Sequence, residues 1–183
     1  SVLNTLVSLR RSGYDLALIT EIAQDKPGEI LRECCNSERI RLPYFMNNET
    51  GKTALAFAKL DAQRNASYSF YKAYPQKRYE GFTIPEFGKT SFIFCFGSCY
   101  AIDPQLQPVL QSIKEAALAA KTILFFDPNI RSGKISEAQH AYLRQHFLDA
   151  HIIRASDEDM KSLFNEKDVD KMYAKIAPKA DKL

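Results

Sequence analysis

The stretch "FFDPNIR", residues 125–131, decides how the rest of the chain is read. Two large apolar side chains run straight into Asp127, Pro128 and Asn129, so a buried strand has to end abruptly in a turn. Pro128 fixes its own backbone and offers no N–H, while Asp127 and Asn129 can bond nearby backbone groups and hold that turn. Arg131 then supplies a planar fork of donors that suits a carboxylate or a phosphate. An Asx-turn followed by a solvated arginine would use the same residue types.

Working outward, "TILFFD" (122–127) is a strand preceded by a helical pattern over 104–120 and by a second apolar strand, "SFIFCFGS" (91–98). Beyond it come a helix over 136–147, a strand "AHIIRA" (150–155) and a helix over 156–164. Upstream, Val2, Leu3, Leu6, Val7 and Leu9 recur at helical spacing, and Arg10 and Arg11 precede Gly13, which predicts a helix over 2–12. "DLALIT" (15–20) reads as a buried strand, and Pro27 and Gly28 open another helix carrying Ile30 and Leu31. One passage breaks the alternation. "TALAFAKLD" (53–61) and "ASYSFYKAY" (66–74), joined through Gln63, Arg64 and Asn65, read as a β-hairpin that forms a flap. The expected fold is therefore α/β: a doubly wound, mostly parallel sheet with helices on both faces, plus a small β lid. Residues 1–40 and 88–183 are expected to form the core, and 41–87 the hairpin with its return loop.

Composition narrows the partners. The 183 residues are 45% hydrophobic and 26% charged, with seven Gly and eight Pro, an ordinary globular make-up. A net charge of +3 on scattered Lys and Arg is too small to imply nucleic acid, and the basic stretch from Lys175 to Lys182 reads as a solvated tail. No apolar run approaches the roughly 20 residues of a membrane helix. Cys34, Cys35, Cys95 and Cys99 form no CxxC pair, which argues against zinc and against a disulfide framework. A small-molecule partner and a reducing cytoplasm are the expectations.

In an open parallel sheet ligands sit beyond the carboxyl ends of the strands. The residues to watch are then Gly97 and Ser98, the run from Asp127 to Arg131, and the run from Ser156 to Asp159. In "RASDEDM", Asp157, Glu158 and Asp159 fall in a first helical turn capped by Ser156, where carboxylates favour the helix dipole. The same arrangement could support hydrated magnesium beside a nucleotide phosphate. Tyr68, Phe70, Tyr71 and Lys72 line the flap. Their rings either pack together or exclude water from a bound ligand. Neither GxGxxG nor GxxxxGK[ST] occurs, and "RSGKIS" (131–136) reads as a loop. The missing glycine fingerprint weighs against a dinucleotide-dependent oxidoreductase. His140, His146 and His151 lack metal spacing and a partnered serine, so a hydrolase triad is not supported.

Together these stretches, with "SVLNTLVSLRRSGYDLALITEIAQDKPGEIL", "GKTALAFAKLDAQRNASYSFYKAYP", "FGSCYAIDP" and "RASDEDMKSLF", resemble the ribokinase-like, or phosphofructokinase B, family of carbohydrate kinases, and most closely its fructokinase-like branch. The resemblance implies ATP-dependent phosphorylation of a sugar hydroxyl, with ATP and Mg2+ as cofactors and fructose or a related sugar as substrate. It places Asn4, Tyr71, Lys72, Gly97, Ser98 and Arg131 at the sugar, the last also as a clamp on phosphate. Ser156 and Asp159 fall at the family's Asn-x-x-Glu positions, which organise nucleotide and magnesium, Asp159 acting on the metal through water. Serine and a shorter acid stand there in this chain. The flap corresponds to the family's lid, through which a homodimer could form. The family's catalytic aspartate lies in a Gly-Ala-Gly-Asp turn that does not occur in this sequence, so a partial kinase is expected, without a nameable base. A degenerate kinase that binds sugar without turnover is the alternative. Arg131 would also suit the carboxylate of 2-keto-3-deoxygluconate.

Overall fold

The computed structural model describes residues 2–62, 66–88, 93–130, 135–164, 166 and 168–176. Arg131, the hairpin connection Gln63, Arg64 and Asn65, the strand start Ser91 and Phe92, and most of the basic tail lie outside these residues. The chain divides into two compact units, Leu3–Thr83 and Ile84–Leu183. Both are built from helices and strands in alternation, with parallel pairing in each, so the α/β expectation holds.

In the first unit, helix α1 (Val2–Arg11) closes on Arg10 and Arg11 and hands over to Gly13 at φ 94°. Strand β1 (Ala17–Ala23) follows, and Asp25 caps helix α2 (Lys26–Ser37) by accepting the Gly28 N–H at 2.9 Å. Gly28 must stay bare because a Cβ there would stand 2.2 Å from the Ala23 carbonyl. Strand β2 (Arg41–Asn48) pairs in parallel with β1, from Ala17 opposite Arg41 to Ala23 opposite Asn48. Sequence reading grouped this segment with the flap, because Pro43 obscures its strand character. The register slips between Ala17 and Ile19, opposite Arg41–Tyr44, where a proline without an N–H can be accommodated. Strands β3 (Lys52–Leu60) and β4 (Ala66–Ala73) form the expected antiparallel hairpin. One extra residue is absorbed on β3 between Lys52 and Leu55, opposite Ala73 and Tyr71.

The second unit holds a three-stranded parallel sheet in the order β5 (Ile93–Gly97), β6 (Ile123–Asp127), β7 (Ile152–Ile153). A four-residue helix α3 (Ser98–Ala101) leaves the end of β5, and a 3-10 turn at Pro104–Leu106 leads into helix α4 (Gln107–Ala119). Helix α5 (Glu137–Asp149) starts on a reciprocal cap between Ser136 and Gln139, which satisfies two orphan groups at once. Helices α6 (Asp157–Phe164) and α7 (Val169–Ile176) follow. Register puts Phe94 and Phe96 beside Leu124 and Phe126 on one pleat face. Leu124 and Phe126, fully buried, pack there with Ala117, Leu143, Phe147 and Met160 of the helices. The opposite pleat carries Ile93 and Cys95, both exposed, with Phe125 and Ile152 beside them. No helix among the described residues is long and apolar enough to cross a membrane.

Candidate functional site at the strand ends

The carboxyl ends of β5, β6 and β7 meet through backbone contacts that the side chains of this sequence make possible. Gly97 lies so close to the next strand that a Cβ would fall 1.8 Å from the Asp127 carbonyl oxygen. Ser98, at φ 60°, donates its N–H to Pro128 O at 2.8 Å. Asn129 also sits at positive φ, 43°, which asparagine tolerates better than most residues. Two non-glycine residues at left-handed dihedrals, side by side at one sheet edge, mark a place where the fold maintains an uncommon backbone path.

Asp159 ties this edge together. Its Oδ1 accepts the Ile130 N–H at 2.8 Å, and its Oδ2 accepts the Ser156 N–H at 3.1 Å and the Ser156 hydroxyl at 2.9 Å. The Ser156 hydroxyl in turn accepts the Asp159 N–H at 3.1 Å. The carboxylate is buried and fixes both the first turn of α6 and the loop that leads to Arg131. A carboxylate has about four acceptor positions. Three donors among the described residues meet this carboxylate. Among the described residues there is no group of three or more His, Cys, Asp and Glu side chains able to hold a metal. Asp127 receives Arg154 NH1 at 3.1 and 3.2 Å on its two oxygens, an ion pair at the water edge of the sheet.

The structure therefore brings Gly97, Ser98, Ser156 and Asp159 into one strand-end frame. Asn4, Tyr71 and Lys72 belong to the first unit. Asn4 is exposed on α1. Tyr71 and Lys72 are neighbours on a strand and so face opposite sides of the ribbon. Tyr71 meets Phe57 edge-to-face at 5.5 Å, whereas the Lys72 ammonium stands 5.4 Å from the ring of Phe70.

Sequence reading missed two buried polar groups. Lys114, on the apolar helix α4, pairs with Asp149 at 2.5 Å and approaches His146 Nδ1 at 3.4 Å. An ammonium can only donate, so Nδ1 accepts and the proton resides on Nε2, which donates to Ala101 O at 2.7 Å. Burial holds the His146 imidazole down to about 4, with the Lys114 charge acting in the same direction and the Ala101 carbonyl opposing it. In the first unit, Arg78 and Glu21 form an ion pair with side chains only 1% and 2% exposed. Charged residues inside otherwise apolar runs were the available signal in both cases, and nothing in one strand or helix alone names the partner.

The sequence pattern of the "pfkB family carbohydrate kinase" group matches residues 2–182. A fructokinase of Rhizobium leguminosarum bv. trifolii is 27% identical over 163 residues, covering 87% of this chain and 49% of that protein. The fructokinase of Xylella fastidiosa superposes with a TM-score of 0.78 at 25% identity, over 97% of this chain and 56% of that one. Its ATP-bound form superposes at 0.79 and 24% identity, with the same coverage. The fructokinase of Vibrio cholerae O395, in its fructose, ADP and calcium ion bound form, superposes at 0.81 with 17% identity, over 96% of this chain and 57% of that one. The chain thus spans about half the length of the curated relatives it matches.

Proposed function

The chain belongs to the pfkB family of carbohydrate kinases, and we propose on that ground that it serves the transfer of the terminal phosphoryl group of ATP to a hydroxyl of fructose. The sugar oxygen would bond to the γ-phosphorus as the bridging oxygen leaves on ADP, the hydroxyl proton passing to a base. Catalysis of this kind rests on positioning and on stabilising spread negative charge. The observation that carries the reading is the strand-end frame, in which Ser98, Pro128, Ile130 and Asp159 hold one another by direct hydrogen bonds. Gly97 and Ser98 would border the sugar, and Arg131, next in sequence after the anchored Ile130, would clamp the phosphoryl group. Asn4 and the β3–β4 ribbon would supply sugar contacts. Magnesium would neutralise phosphate charge, reaching Asp159 only through a bound water.

Fructose-dependent release of ADP, measured in a coupled assay with glucose and 2-keto-3-deoxygluconate as competing acceptors, tests the reading. Turnover with fructose is expected where a catalytic aspartate joins this frame, and no turnover from residues 1–183 by themselves, which carry no Gly-Ala-Gly-Asp turn. Saturable fructose binding with no ADP release even with that aspartate present would replace the kinase reading by a binding-only one, and robust ADP release from residues 1–183 alone would show that they hold a base of their own. The ribbon leaves Phe57 and Tyr71 each 62% exposed beside strand edges that pair with no further strand among the described residues, a surface suited to a second copy of the chain. Light scattering should give twice the monomer mass, and Phe57→Ser should lower it.

A further inference from the structure

Glu21 sits near the end of β1, with its side chain 2% exposed, and both of its oxygens are engaged. Oε1 accepts the Arg78 Nε at 2.8 Å and a second bond from the Arg78 NH2 group. Oε2 accepts the Asn48 amide at 3.1 Å. Asn48 is the last residue of β2, a short turn ahead of the β3–β4 ribbon, and Arg78 lies on the segment that leaves the ribbon after Ala73. The Arg78 guanidinium also stacks on the ring of Tyr74, 3.8 Å from its centroid. A second acid on the same side completes the picture. Asp25 accepts the Thr53 N–H at 2.9 Å and the Thr53 hydroxyl at 2.7 Å, and its carboxyl is held below its ordinary range chiefly by that hydroxyl. The Thr53 hydroxyl itself accepts the Ala23 N–H at 3.2 Å.

The two chains that enter and leave the ribbon are therefore gripped by two carboxylates in and just after β1. We propose that Glu21 is a positioning residue: by holding Asn48 and Arg78 together it closes the root of the β3–β4 ribbon and sets where the ribbon's ligand-facing side chains stand. The consequence for sugar binding rests on the reading of the ribbon as a lid over the sugar; the clamp itself does not. A buried ion pair contributes direction more than net stability, because desolvating two charges offsets most of their attraction. Replacing both partners by apolar side chains of similar volume can leave stability nearly unchanged, whereas removing one leaves a buried charge unmatched. The informative variant is accordingly the double one, Glu21→Met with Arg78→Met, with Glu21→Gln alongside.

Amide hydrogen exchange on the purified protein reads the clamp without any appeal to turnover. In the double variant, at unchanged melting temperature, exchange in Lys52–Leu60 and Ala66–Ala73 is expected to accelerate by about ten-fold or more, while α2 keeps its protection. Unchanged exchange in the ribbon at an unchanged melting temperature overturns the proposal. Should the double variant fail to fold, Asn48→Ala, which loosens only the entry side, is expected to raise exchange at the start of β3, and its failure to do so overturns the proposal equally. In the protein active on fructose, KM for the sugar is expected to rise by about ten-fold with kcat within about two-fold, since the lost interaction orders the bound state. Faster ribbon exchange with an unmoved sugar KM would keep the clamp and overturn the lid reading. A Glu21→Gln variant that moves kcat alone would contradict positioning.

Discussion

His146 shows how a single buried side chain sets conditions for the fold around it. Its imidazole is 2% exposed among Phe96, Phe126, Lys114 and Asp149, and burial depresses its proton affinity to about 4. In an unfolded chain histidine titrates near 6.5. Between those values the unfolded protein binds a proton that the folded one refuses. The stabilising effect is therefore complete above about 6.5 and is lost as pH falls toward about 4, by something on the order of 3 kcal/mol. Urea titrations at pH 7 and pH 5 should show the loss, and His146→Gln should flatten this part of the profile. An identical slope in the variant would assign the proton to another group. The same side chain illustrates what a sequence hides: the spacing of His140, His146 and His151 speaks only to metals and triads. That Lys114 on a different helix fixes the tautomer of His146, and that Ala101 receives its proton, depends on packing brought about by the whole unit.

Strands and turns were easier to read than their partnerships. The apolar runs that became β5 and β6 end where the residue types say they must, because Gly97 and the Asp-Pro-Asn turn leave the chain no way to continue. Strand β7 keeps only Ile152 and Ile153 of a longer expected run, since His151 turns its ring nitrogen back to accept the Leu124 N–H. Helix α3 escaped notice because four residues that begin on a positive-φ serine carry no periodicity. Strand β2 escaped because a proline occupies it, and α7 because its residues adjoin a basic tail that reads as solvated. Of the candidate site, the strand-end positions were legible from chemistry alone. The carboxylate geometry was not, since Asp159 reaches across to Ile130 from another element. The close approach of β5 to β6 yields a sharp expectation: Gly97→Ala should cost about 3 kcal/mol or more, because the added methyl meets backbone that cannot swing away. A shift in urea midpoint of less than a third of that size would mean the two strands separate more readily than the register implies.

The whole chain has two units, each with its own buried residues: Ile22, Ala23, Cys35 and Ile40 in one, and the Phe96, Leu124 and Phe126 cluster in the other. Separate cores allow separate melting. Scanning calorimetry is expected to give a calorimetric enthalpy above the van't Hoff value, as for proteins that do not unfold in one step. Equality of the two would show a single cooperative block. The bulge in β3 has a consequence of another kind, for how this ribbon can change over generations. Thr53 is anchored at the root by Asp25, and the pairing resumes at Leu55 opposite Tyr71. Losing Ala54 alone would remove the bulge and leave Leu55 opposite Tyr71 with every later side chain on its present face, whereas losing one residue beyond Leu55, where pairing is regular, would turn the outer part of the strand inside out. Single deletions should therefore survive at the bulge and be purged along Leu55 to Leu60.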